Sequence, residues 1–267
     1  MKRLIYSLII LSILMFACSI SATGTPPVVT APPVVTEPPI TANVTCNELS
    51  LYLDPALASG FDCQTIPEAS GADMPAFAIN PEYTEISLTG YALSGVSLGP
   101  RIDLFPVQRF TEIEPYSVPG RVSELQALIS GGAPTGDSFP VLPVINAAQL
   151  FHAAYGVVPF DSGNGIRFLT MYGQDYGPVN NGAMVYTFQG LTGDGKYWVA
   201  VILPVSNPIL PPDGSTLPGG ETWDQFMANF PAYVVDIQNQ LNAQSPAAFA
   251  PSLTALDALI ASIHVQP

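Results

Sequence analysis

Residues 183–203 read AMVYTFQGLTGDGKYWVAVIL, and this stretch decides the class of fold. Both halves are rich in β-branched and aromatic residues, which favour extended strands. Between them lies Thr192-Gly193-Asp194-Gly195, and an Asp-Gly pair between two such runs is a strong signal of a hairpin turn. The stretch therefore predicts two neighbouring antiparallel strands.

Further strands are predicted on the amino-terminal side of this hairpin. Residues 83–93 alternate, with Thr84, Ile86 and Leu88 on one side and polar residues on the other, as in a strand with one buried face. Residues 101–106 repeat the alternation, and residues 107–113 read as an extension of it. Residues 166–172 predict another strand beside the hairpin.

Helical spacing predicts the remaining elements. We expect a helical turn at 48–53, helices at 121–130 and 146–155, a long helix capped by Thr222, and a closing helix at 253–263. Strands and helices are grouped along the chain and do not alternate regularly. The predicted fold is therefore α+β, an antiparallel sheet with helices packed on one face, including two C-terminal helices.

The amino terminus indicates export. Residues 2–3 are Lys-Arg, residues 4–17 are mostly apolar, and Cys18 follows directly. The apolar run is short for a membrane-spanning helix and fits a signal peptide at residues 1–17. The small residue before Cys18 resembles a bacterial lipobox, which implies a lipid on that cysteine. Ordinary cleavage near Ala22 and an uncleaved anchor are the alternatives.

The segment after Cys18 reads as a spacer. Residues 25–40 are TPPVVTAPPVVTEPPI, and such closely spaced prolines favour an extended polyproline II conformation. We expect residues 18–44 to form a lipid-anchored stalk and residues 45–267 to form a single globular domain. With Cys18 lipidated, Cys46 and Cys63 are left to form a disulfide, the alternative being two free thiols.

Charge narrows the range of partners. The formal net charge is −14, and removal of residues 2–3 with the signal makes it about −16. Such a surface repels phosphate backbones, so nucleic acid is excluded as a partner. The expected location is the extracytoplasmic side of a membrane, held there by the lipid anchor. The sequence indicates no cofactor and no metal site.

Two-thirds of the chain, from Gly99 onward, resembles a group of uncharacterised bacterial envelope lipoproteins. The resemblance lies in the segments PRIDLFPVQRF, LPVINAAQLFHA and IRFLTMYGQDYGPVNNGAMVYTFQGLTGDGKYWVAVILPV, and in the helices that follow. It implies an envelope location and one domain, and it implies no activity.

Two patterns raise the alternative of a secreted hydrolase. Residues 95–99 read GVSLG, which matches the nucleophile motif of esterases around Ser97, although no helix is predicted after it. Glu112 and Glu114 would lie on one side of a strand, as a pair of glycosidase carboxylates could. A loop at 161–165 resembles part of a calcium loop but lacks its spaced acidic ligands.

The strongest candidate for ligand binding is the loop at 172–182, YGQDYGPVNNG. Aromatic faces and amide groups on a loop carried by a rigid sheet are suited to binding a sugar or a protein. The residues expected to contact such a ligand are Tyr172, Gln174, Asp175, Tyr176, Asn180 and Asn181. We therefore expect a non-enzymatic binding or structural domain displayed on a stalk.

Overall fold

The computed structural model describes residues 41–134, 136 and 138–266, which belong to the unit Ile40–Pro267. Its strands are β1 (Val44–Cys46), β2 (Leu49–Leu51), β3 (Ala58–Ile66), β4 (Tyr83–Tyr91), β5 (Arg101–Pro106), β6 (Ala148–Gln149), β7 (Ala153–Phe160), β8 (Gly163–Gly173), β9 (Met184–Thr192), β10 (Tyr197–Pro204) and β11 (His264–Val265). The helices are α1 (Val107–Ile113), α2 (Val118–Ile129), α3 (Trp223–Asn242) and α4 (Leu253–Ala261).

An eight-stranded antiparallel sheet forms the body of this unit. Its order is β3-β4-β5-β10-β9-β8-β6, and β7 also pairs with β8. β6 and β7 lie end to end along the edge of β8 that β9 leaves open. Strands β1, β2 and β11 form a separate three-stranded sheet. The predicted α+β class and the antiparallel sheet are confirmed.

The predicted hairpin is β9 and β10, at the centre of the main sheet. Trp198 pairs with Leu191, and the register continues to Pro204 opposite Val185. In the turn, Asp194 Oδ1 accepts hydrogen bonds from Thr192 Oγ1 and from the Lys196 amide, at 2.7 and 3.1 Å. All nine residues of β9 are buried because both faces of the sheet are covered.

The helices cover both faces of the sheet, which corrects the expectation of one covered face. The C-terminal helices α3 and α4 pack on one face, against side chains such as Tyr186 and Val201. The opposite face carries α1, α2 and residues 139–142, packed around Trp198 and Phe168. Since β9 and β10 are apolar at successive positions, each strand supplies side chains to both cores.

Helix α3 begins as the sequence predicts. Thr222 and Gln225 form a reciprocal capping box at its start, and Pro231 lies inside the helix. Phe226, Phe230 and Leu241 are buried against the sheet, in agreement with the helical spacing. This placement fixes the first turn of α3 beside the loop that follows β8.

Three local predictions were wrong. The helical turn expected at 48–53 is replaced by the strand β2 (Leu49–Leu51): Asn47, with φ of 52°, turns β1 tightly back into β2. Residues 107–113 form α1 and do not extend β5; this helix places Phe110 in the core beside Phe105. Residues 146–155 contribute β6 and β7, because pairing along the edge of the long strand β8 outweighs their weak helical pattern.

The predicted disulfide is confirmed. Cys46 in β1 and Cys63 in β3 are bonded, with their Cα atoms 5.7 Å apart. Just before β1, the Asn43 side chain exchanges two hydrogen bonds with the Leu53 backbone. The signal peptide, Cys18 and stalk residues up to 40 lie outside the described residues. Among the helices in the described ranges, none is long and apolar enough to cross a membrane.

Candidate functional site

The loop between β8 and β9 begins with a tight turn at the sheet edge. A Cβ atom on Gly173 would lie 2.8 Å from the Asp175 carbonyl oxygen, so the turn requires glycine there. Gln174, Asp175 and Tyr176 then project into solvent. The turn thus presents an amide, a carboxylate and a phenol side by side.

These three residues form one wall of a cleft whose other wall is the first turn of α3. The cleft has a volume of about 720 Å³. Its lining residues are Ala148, Leu150, Gly173, Gln174, Asp175, Tyr176, Trp223 and Met227. We call it the aromatic cleft. Tyr176 is 51% exposed and Trp223 is 48% exposed, so both rings offer a face to a ligand.

Both exposed rings are held by the buried aromatic residues of α3. Tyr176 packs on Phe230 with ring centroids 4.5 Å apart, and Trp223 packs on Phe226 at 5.6 Å. Phe226 and Phe230 contact each other edge to face. The Tyr176 and Trp223 rings are therefore held in place by buried residues. Little side-chain conformational entropy would be lost when a ligand binds to them.

Backbone and side-chain hydrogen bonds fix the loop around the cleft. Gln174 Nε2 donates to the Asn146 carbonyl at 3.2 Å. The Val179 amide donates to the hydroxyl of Tyr233 on α3 at 2.8 Å. These contacts tie the loop both to the segment before β6 and to the helix opposite, so the cleft is a built feature of the fold.

Other residues predicted in this loop lie away from the cleft. Asn180 is buried and donates to the Pro178 carbonyl. Asn181 bonds the carbonyls of Asn207 and Leu210 and accepts from the Asn207 amide. Both amides satisfy the backbone of neighbouring loops. Tyr172 points to the opposite face of the sheet, because side chains alternate along β8.

Ser97 lies in an exposed loop between β4 and β5. Its amide donates to the Gly182 carbonyl at 2.9 Å, and β5 follows directly, whereas a nucleophile elbow leads from a strand into a helix. His152 Nε2 lies 2.7 Å from Gln149 Oε1. His264 Nδ1 contacts both Asp161 Oδ2, at 2.6 Å, and Ser162 Oγ, at 3.4 Å. In a Ser-His-Asp catalytic triad the serine and the aspartate contact different ring nitrogens, so these three residues do not form one.

The two glutamates considered for glycosidase chemistry have separate structural roles. Glu112 on α1 is exposed and pairs with Arg109 at 3.2 Å. Glu114 is buried, and its Oε2 accepts from the amides of Ser117 and Val118 and from the Ser117 hydroxyl. Burial alone would raise the pKa of Glu114, and these hydrogen bonds outweigh burial and lower it. The carboxylate thus caps the start of α2.

The loop expected at 161–165 is a two-residue turn, Asp161 and Ser162, between β7 and β8, and residues 163–165 are the first residues of β8. Ser162 Oγ accepts from the Val265 amide, which attaches the C-terminal strand β11 to this turn. Within the described ranges, no three side chains of His, Cys, Asp or Glu cluster in a way that could hold a metal ion.

Trp223 and Met227 are cleft residues that the sequence did not indicate. Trp223 belongs to the apolar stripe of α3 and reads as a core residue. It is the first residue of the helix, where the stripe extends past the sheet and leaves the ring half exposed. An aromatic residue directly after a capping threonine is the signal that could have identified it.

The chain matches no family model, no curated protein and no solved structure.

Proposed function

We propose that this protein is an exported, lipid-anchored envelope protein whose domain binds a carbohydrate in the aromatic cleft and has no enzymatic role. The observation that carries the proposal is the pairing of two half-exposed rings, Tyr176 and Trp223, across a cleft that also holds Gln174 and Asp175. Aromatic faces contact the apolar face of a sugar ring, and amide and carboxylate groups hydrogen-bond its hydroxyls.

The shape and support of the cleft favour a sugar over a protein partner. A protein interface of ordinary size needs a broad surface of roughly 800 Å² on each side. The exposed rings here face a concave cleft of about 720 Å³, which suits one to a few sugar units. Their packing on Phe226 and Phe230 means that little conformational entropy is lost on binding.

The proposed location rests on the sequence before residue 41 and on the disulfide. A bond between Cys46 and Cys63 is expected of a protein that folds outside the reducing cytosol. Cys18→Ala tests the anchor: we expect the variant to leave the membrane fraction and to lose incorporation of labelled palmitate. An unchanged distribution, or label retained by Cys18→Ala, would contradict lipidation at this site.

The binding site is tested by screening the full chain against an array of neutral oligosaccharides and titrating the best ligand by calorimetry. We expect Tyr176→Ala and Trp223→Ala each to weaken binding by about tenfold or more, since each removes one stacking face. The matched control is Tyr116→Ala, which removes a tyrosine that is 94% exposed in the turn between α1 and α2. An array without binding, or affinities unchanged in both cleft variants, would refute the proposal.

A further inference from the structure

A second pocket lies on the other face of the sheet, beside α2. Its volume is about 330 Å³. It is lined by Arg121, Ser138, Phe139, Val141, Val144, Ile145, Ala147, Ala148, Gln149 and Tyr172. We call it the Arg121 pocket. Six of these ten lining residues are apolar, and Arg121 is the one cationic residue among them.

Arg121 differs from every other cation in the described part of the chain. Each of the others pairs with a carboxylate at 2.7 to 3.1 Å: Arg101, Arg109, Arg167 and Lys196. Arg121 has no such partner among the described residues. One of its terminal nitrogens donates to the Val141 carbonyl at 3.2 Å, and its Nε is buried without a hydrogen-bond partner. Its charge is therefore not paired directly with any carboxylate of the described residues, although Glu114 and Glu124 lie in its surroundings.

The position of Arg121 in its helix gives no reason for this charge. It lies in the first turn of α2, where the helix dipole disfavours a cation. Burial lowers the pKa of Arg121, and the carboxylates of Glu124 and Glu114 offset only part of that effect. In a chain of net charge −14, an unpaired cation at an unfavourable position is best explained by a ligand.

Tyr172, which lines the pocket, belongs to a small group of buried hydroxyl residues on β8 and β9. The hydroxyls of Tyr172, Thr170 and Thr187 are buried and make no hydrogen bond of normal geometry, although Tyr172 and Thr187 lie close enough for the Thr187 hydroxyl to act on the pKa of Tyr172. Thr170 lies two residues before Tyr172 on the same face of β8, and Thr187 on β9 pairs with Phe168, two residues before Thr170. Such groups are uncommon in folded proteins unless a bound molecule or water satisfies them.

We propose that the Arg121 pocket binds a small carboxylate that carries an apolar group, with Arg121 and the Tyr172 hydroxyl donating to the carboxylate. One guanidinium matches one carboxylate in charge and geometry. Phe139, Val141 and Val144 contact the apolar group. A doubly charged phosphate would fit less well, because Glu114 and Glu124 lie near the single cation. This site is separate from the aromatic cleft.

Calorimetric titration of the full chain with butyrate, butyramide and acetate tests the proposal. Butyramide keeps the shape of butyrate but lacks its charge, and acetate keeps the charge but lacks most of the apolar group. We expect butyrate to bind about tenfold or more tightly than butyramide, and also more tightly than acetate. No binding of butyrate, or equal binding of butyrate and butyramide, would overturn the proposal.

Variants locate the site. We expect Arg121→Gln to weaken butyrate binding by about tenfold or more, and Arg109→Gln, at an exposed arginine on α1, to leave it unchanged. Tyr172→Phe removes only one hydroxyl, and it replaces Arg121→Gln as the test variant if Arg121→Gln fails to fold. We expect it to weaken butyrate binding about three- to tenfold. Butyrate affinity unchanged in Tyr172→Phe or in a folded Arg121→Gln would overturn the assignment. A failure here leaves oligosaccharide binding at the aromatic cleft unaffected, so the two proposals are tested separately.

Discussion

We expect Asp103 to make the stability of this domain depend on pH. It lies on β5 between Glu85 of β4 and Ala200 of β10, and it is only 2% exposed. Its Oδ2 pairs with Arg101 Nε at 3.1 Å, whereas its Oδ1 is buried without a partner. Burial raises the pKa of Asp103 to about 7; Arg101 offsets part of this effect, and Glu85 adds to it.

The size of the effect follows from that pKa. An unfolded aspartate has a pKa of about 3.9, so the shift is about three units and corresponds to roughly 4 kcal/mol. Because the folded pKa is the higher one, the folded state keeps its proton where the unfolded state has lost it. This contribution is fully present below about pH 4 and is lost as the pH rises to about 7.

Asp103→Asn removes this titration while keeping the shape of the side chain. We expect the free energy of unfolding of the variant to exceed that of the wild type at pH 8, and the gap to narrow by up to roughly 4 kcal/mol between pH 8 and pH 4. Urea unfolding followed by the fluorescence of Trp198, which is fully buried on the same face, provides the measurement.

A control and a refuting result are available. Asp62→Asn makes the same change in net charge at an exposed position of β3, and its effect is subtracted. If the corrected stability difference between Asp103→Asn and the wild type is the same at pH 4 and pH 8, burial does not hold a proton on Asp103. The reasoning would then be refuted.

Two further predictions concern the strands. Gly165→Ala should destabilise the domain by about 1 to 3 kcal/mol, since its Cβ would lie 2.5 Å from the Gln189 carbonyl oxygen and closer still to the Phe188 ring. Gly156→Ala is the control, since no atom lies within 4 Å of the new Cβ, and it should change the free energy of unfolding in urea by less than about 0.5 kcal/mol. If both variants lose the same stability, the close contacts at Gly165 are not the cause. Cys63→Ser should cost roughly 3 kcal/mol by opening the disulfide, because the bond closes a loop between residues 17 positions apart. Because Cys63 is exposed, the serine adds no buried polar group. If the variant is as stable as the wild type, and a reducing agent does not change the stability of the wild type, the disulfide does not stabilise the domain.

Much of the fold could be predicted from local patterns. The hairpin of β9 and β10, the strand β4, and the start of α3 at Thr222 each have a signal within a few residues. Turn residues, the alternation of apolar and polar side chains, and helix capping all depend on residues close together in the chain, so they can be recognised in the sequence. The pairing of Cys46 with Cys63 followed from counting the cysteines once Cys18 was assigned to the lipid.

The errors occur where distant contacts outweigh local preference. Residues 146–155 form β6 and β7 because β8, eleven residues long, has an edge that must be paired. Residues 107–113 form a helix because that course places Phe110 in a core on the second face of the sheet. Neither the open edge nor the second core can be seen from the residues themselves.

The candidate site shows the same division. The loop at 172–182 was identified from its tyrosines and amides, but only Gln174, Asp175 and Tyr176 reach the aromatic cleft. Trp223, about fifty residues later in the chain, completes it because α3 packs across the end of β8. Tyr172 lies on the opposite face and lines the Arg121 pocket.

The sequence by itself determined the α+β class, the central hairpin, the start of α3 and the cysteine pair, because each depends on residues that are close together or can be counted. Only the tertiary structure decided that both faces of the sheet are covered, which loop residues share a cleft with Trp223, and that Arg121 forms no ion pair within the described part of the chain. These features depend on packing between residues far apart in the chain, and local sequence patterns do not encode such contacts.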